Sequence, residues 1–131
     1  MENILKVANK LEGKTILKKI LNIGIKDNDL DFLREGMRDT KAFDDAYRRG
    51  LAKGLSPNDI ACGANYGEGE VWQVFPPIKI DIDHGEVLLV DGRHRLSMAR
   101  KYCADKILAR IRLFDDNGNI LFDKEKIIKL I

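Results

Sequence analysis

The stretch Val87-Leu88-Leu89-Val90-Asp91-Gly92-Arg93-His94-Arg95-Leu96 decides how this chain is read. Four consecutive apolar residues predict a short strand buried on both faces. Asp91-Gly92 is a turn signal. Leu96, Ala99 and Cys103 then fall on one stripe, so a helix begins directly after the turn. The first N–H groups of such a helix lack intrahelical acceptors. Together with the helix dipole they favour an anion by about 0.3–1 kcal/mol, and by up to about 2 kcal/mol when partly buried. Gly92 allows a ligand close to the backbone. Arg93, His94 and Arg95 place two fixed cations and a titratable donor in the same first turn. Cations there oppose the dipole. Either a bound anion resolves that conflict, or the arginines pair with local acids such as Asp91, Asp81 or Asp83. Charge-assisted hydrogen bonds contribute about 1.5–3 kcal/mol each. Two of them plus the helix end would hold a phosphate-bearing ligand with millimolar to micromolar affinity.

Outward from that segment, Ile78-Lys79-Ile80-Asp81-Ile82 alternates as a half-buried strand, and Asp83-His84-Gly85-Glu86 supplies a turn. Residues 71–75 are β-prone up to the Pro76-Pro77 break. Residues 107–114 alternate again. Asp115-Asp116-Asn117-Gly118-Asn119 predicts a hairpin to Ile120-Leu121-Phe122, and residues 124–131 are expected to close the chain as a helix. Residues 1–68 read as helical instead. Ile4, Leu5, Ala8 and Leu11 form one stripe that Gly13 stops. Ile16, Leu17, Ile20 and Leu21 start the next. Asn28 is expected to cap a helix through Leu30, Leu33 and Met37. Thr40 is expected to cap one carrying Ala42, Phe43, Ala46, Tyr47 and Leu51, ended by Gly54. Ser56-Pro57 opens a short helix through Ile60 and Ala61, and Gly63, Gly67 and Gly69 make a loop. The expected fold is α+β in one domain of 131 residues. Residues 1–68 form a helical layer, and residues 69–131 form a small mixed sheet holding one short helix.

Composition bounds the function. At 44% hydrophobic and 34% charged, the chain reads as globular. It has no 18-residue apolar run, which excludes a spanning helix. Its start lacks a signal-peptide core, and a cytoplasmic location is expected. Cys62 and Cys103 form no metal-type pair and are expected as buried thiols. Residues 93–112 hold seven basic residues and one acid, while the rest of the chain has 16 basic and 20 acidic groups. That distribution points to a local anionic ligand rather than general nucleic-acid coating.

The segment from Pro77 to Leu113 resembles the ParB/sulfiredoxin superfamily. The likeness rests on Gly92-Arg93-His94-Arg95 between a strand and a helix, followed by Ala99 and the 107–113 strand. It covers about a third of the chain and does not extend into residues 1–65. It implies a ParB/sulfiredoxin-like fold in which Gly92, Arg93, His94 and Arg95 bind nucleotide phosphates. Relatives in that superfamily use CTP in ParB partition proteins, ATP in sulfiredoxins, and ADP or ATP in free-serine kinases. Mg²⁺ beside the bound nucleotide is the cofactor this would allow. Sulfiredoxins carry a nucleophilic Cys between the Gly and His of the motif. Arg93 stands there, so that chemistry is not expected. No helix-turn-helix domain follows the motif, which points to a stand-alone domain rather than a partition clamp.

Several other signals stay open at this level. Asp81, Asp83, His84 and Asp91 could hold Mg²⁺ or be ordinary turn residues. Glu68, Glu70 and Glu86 are candidate general bases for a phosphotransferase or nucleoside triphosphatase, with nothing in their spacing to single one out. The alternative class is a DNA-binding module or a ParB-like nuclease using residues 93–112 on backbone phosphates. A helix-turn-helix within 43–65 is not expected, because its second helix has no Arg, Lys or Gln to read bases. The lysines at 6, 10, 14, 18 and 19 read as a solvated helix face. Trp72 reads as core.

Overall fold

The computed structural model describes residues 13–26, 30–32, 41–63 and 76–131. Among the described residues nine elements follow in chain order: helix α1 (residues 13–22), strand β1 (Asp31–Phe32), helices α2 (Lys41–Ala52) and α3 (Pro57–Ala61), strands β2 (Ile78–Asp83) and β3 (Glu86–Asp91), helix α4 (Arg93–Lys101), and strands β4 (Lys106–Phe114) and β5 (Ile120–Lys129). The result is a small mixed α+β structure. Its sheet runs β1-β3-β2-β4-β5. The β1·β3 and β2·β4 pairs are parallel, and the β2·β3 and β4·β5 pairs antiparallel.

Alternation drives the sheet. Ile78, Ile80 and Ile82 of β2 and Ile107, Ala109, Ile111 and Leu113 of β4 are all buried on one face. Val87 and Leu89 of β3 join them, and Leu96 and Ala99 of α4 cover them with Ile20 of α1. Helix α4 has a second buried side. Met98 packs with Ala46, Tyr47 and Ile60, so α2 lies on α4, while α3 touches both α4 and, through Ala61 and Asn58, the β4 side of the core. The β2–β3 turn is His84-Gly85, both with positive φ (50° and 75°), as a two-residue hairpin matched to strand twist requires. Ser56 and Asp59 form a reciprocal capping box at the start of α3.

Several expectations need correction. Residues 124–131 are not a helix. The β4·β5 ladder continues through Lys106↔Lys129, and cross-strand pairing along this hairpin outweighs the helical spacing. Residues 30–32 are not helical either, because Asp31 and Phe32 pair in parallel with Leu88 and Leu89. Gly13 is the first described residue of α1, and the helix it was expected to stop lies outside the described residues. The missing Cβ of Gly13 would stand 3.0 Å from Leu113 Cδ1, so glycine lets α1 approach the sheet. Strand β3 is not buried on both faces: Leu88 is half-buried and Val90 exposed. Ladder partners skip from Ile80↔Leu89 to Lys79↔Asp91, which leaves Val90 as an extra residue just before the turn. Cys103 leaves the α4 stripe because the helix ends at Lys101. It is exposed, with φ 60°, and Cys62 is only half-buried. The expected stripes at residues 4–11 and 33–37, the cap Thr40, Gly67, Gly69, Trp72 and the 71–75 strand lie outside the described residues.

Candidate functional site

The turn that joins β3 to α4 is built by steric exclusion. Gly92 is the N-cap of α4, with φ 108° and ψ 19°. A Cβ there would meet Ile78 Cγ2 at 2.4 Å and Ile78 Cα at 2.9 Å. Only glycine satisfies both the left-handed backbone and the contact with β2. No side chain among the described residues caps this helix end, and its first turn holds no acid.

The motif side chains divide. Arg95 is the one buried charged residue among those described, 7% exposed. Its Nη1 donates to the carbonyls of Pro76 (2.6 Å) and Pro77 (2.7 Å). Its Nη2 pairs with Asp91 Oδ2 at 3.1 Å. Both carbonyls precede the first ladder residue of β2, and one guanidinium satisfies them together. Arg95 thus joins the entry to β2, the exit from β3 and the first turn of α4. This is the local-acid arrangement, and it leaves the guanidinium few spare donors. Arg93 is half-buried. The His94 ring stacks on Phe43 of α2, with centroids 5.9 Å apart and an interplanar angle of 5°. Its Nδ1 is buried without a hydrogen-bond partner among the described residues.

Beside this stack, Tyr47 and Tyr102 lie face to face at 5.0 Å. Asp44 accepts from Tyr102 Oη (2.5 Å) and Lys101 Nζ (2.8 Å) and pairs with Arg48 Nε (3.1 Å). The hydrogen bonds from Lys101 and Tyr102 hold the Asp44 carboxyl below the usual carboxylate range. This cluster clasps α2 to α4. Nothing in the sequence announced it, since Asp44 and Tyr102 are far apart along the chain.

The remaining candidates lie elsewhere. Arg112 makes a two-point pair with Asp81 (2.8 and 2.7 Å), and Arg110 makes one with Asp123 (2.8 and 2.7 Å). These pairs raise both guanidinium pKa values, and the Arg110 bond lowers that of Asp123. Asp83 pairs with His84 at the hairpin tip (2.8 Å), and Glu86 opposes Asp83 in the ladder. Asp81, Asp83 and Asp91 thus each face a basic side chain, and no group of three His, Cys, Asp or Glu gathers among the described residues. Glu68 and Glu70 lie outside them. A cavity of about 200 Å³ is lined by Ile16, Lys19, Ile20, Gly24 and Val87. Val87 lies at the opposite end of β3 from the turn, so that cavity is not part of this site. No described helix is long and apolar enough to cross a membrane. Comparison with protein-family models, curated proteins and solved structures found no match to this chain.

Proposed function

We propose that the chain is a nucleotide-binding protein that seats a phosphate on the N-terminus of α4. The observation that carries this reading is the end of α4 itself. It starts at Gly92 with no capping side chain among the described residues, no acid in its first turn, and Arg93-His94-Arg95 where acids are favoured. A phosphate would satisfy the leading N–H donors and offset the crowded positive charge. Arg93 and His94 are the side chains assigned to the ligand. Arg95 enters as the residue that holds the turn, because two carbonyls and Asp91 already engage it. The ParB/sulfiredoxin resemblance supports a nucleoside di- or triphosphate over a bare phosphate. A coat of nucleic acid is less favoured. Arg95, Lys101, Arg110 and Arg112 of the basic segment each pair with a carboxylate of the protein itself.

Calorimetric titration with CTP, ATP, ADP and GTP, with and without Mg²⁺, tests the reading. Saturable binding of at least one is expected, and Arg93→Ala should weaken it by about 1.5–3 kcal/mol. Absence of saturable binding to all four removes the proposal. Phosphate release in the same samples decides whether the bound nucleotide also reacts.

A further inference from the structure

The longest strand, β5, ends the sheet order. Among the described residues Ile25 hydrogen-bonds its outer edge at Lys129 O and Ile131 N, with Gly24 packed beside Lys129, both at the C-terminal end. Nearly all of β5 is exposed, including Ile120, Leu121 and Ile127, and Ile131 just beyond it is exposed as well. A long, exposed, apolar edge strand is a template for another copy. Between its apolar ends stands Asp123-Lys124-Glu125-Lys126. The β4 register places these charges by face. Lys124 and Lys126 oppose Ile111 and Ala109 on the core side, whereas Asp123 and Glu125 oppose Arg112 and Arg110 on the other.

We propose that the middle of the outer edge of β5, Asp123 to Lys126, refuses a second copy of this chain and fits an antiparallel strand whose charges are exchanged between the faces. Two copies pairing edge to edge in antiparallel fashion are related by a twofold axis perpendicular to the sheet, so like faces meet. Each allowed register then centres on one residue that opposes itself. Centred on 123, 124, 125 or 126, that residue is charged. Centring on Lys124 also sets Asp123 against Glu125, and centring on Glu125 sets Lys124 against Lys126. Directly opposed like charges destabilise a ladder. Lysines on the core side of an edge strand add to the barrier, because an incoming strand would desolvate them. Among the described residues, charge rather than covering structure guards the middle of this edge.

A charge-exchanged version, Lys124→Glu/Glu125→Lys/Lys126→Glu, tests this in the full chain. In the register centred on residue 125, wild-type and exchanged edges set three opposite-charge pairs against each other. Sedimentation should show each protein monomeric alone and a heterodimer in the mixture. Because a triple variant could misfold, labelled peptides supply a second readout with wild-type protein. The exchanged 120–129 sequence should bind at least tenfold tighter than the native 120–129 sequence. Equal peptide affinities overturn the proposal, as does a mixture of folded proteins no larger than its components. Wild-type dimerisation with hydrogen-exchange protection gained along 120–128 also overturns it.

Discussion

The entry turn of α4 and the open face of the sheet use the same residue types to different ends. Both set an arginine against an aspartate, and both arginines come from one basic segment. At the turn, the Arg95 guanidinium is buried and shared between two backbone carbonyls and Asp91. On the sheet, Arg110 is 42% exposed and meets Asp123 where water and salt screen the pair. Removing a buried partner strands the groups it satisfied, whereas removing an exposed one mostly returns them to solvent. Burial, not residue identity, decides which arginine shapes the fold.

The largest effect should come from Gly92→Ala. The left-handed backbone and the overlap with Ile78 together should cost about 4 kcal/mol, read as a lower urea midpoint. Equal stability would show that the turn can relax away from β2. Arg95→Ala should follow at about 3 kcal/mol, from stranded carbonyls and a lost charged hydrogen-bond set. Arg95→Lys should recover little of it, because an ammonium cannot reproduce the planar fork. Full recovery by lysine would reduce Arg95 to a point charge. On the sheet, Asp123→Asn should cost no more than about 1 kcal/mol, since the side chain of its Arg110 partner is 42% exposed and keeps access to water. A loss as large as that of Arg95→Ala would erase the contrast between the two regions.

Acid sharpens the comparison from the other side. Asp123 and Asp44 have lowered folded pKa values, caused chiefly by hydrogen bonds from Arg110 and Lys101. A depressed carboxyl contributes stability at neutral pH, and the contribution fades as pH falls through about 4 and below. The urea midpoint should therefore drop between pH 6 and pH 3. Asp123→Asn should shallow that drop, and an unchanged profile would remove Asp123 from the acid response.

Much of the second half was legible because its signals are local. The β2–β3 hairpin, the Gly92 turn, the start of α4 and the alternation of β4 lie within a few residues of their causes. So does the Ser56-Pro57 start of α3 in the first half, although its Asp59 partner in the capping box went unread. Pairing was not legible. Asp31 and Phe32 become strand only against Leu88 and Leu89, and the end of β5 only against Lys106 and Ile107. At the site, the sequence showed that cations crowd a helix start and named Asp91 as one alternative partner. It could not show that Arg95 reaches back to Pro76 and Pro77, or that His94 stacks on Phe43. Those contacts depend on how distant segments meet.

The phosphate seat on α4 is tested most directly by amide chemical shifts. Titrating ATP or CTP into labelled protein should move the Gly92, Arg93 and His94 amide signals saturably. The Arg95 guanidinium is already held by the Pro76 and Pro77 carbonyls and by Asp91, so its side-chain signals should stay in place. Saturable shifts confined to other parts of the chain, or none at those three amides, would contradict the account.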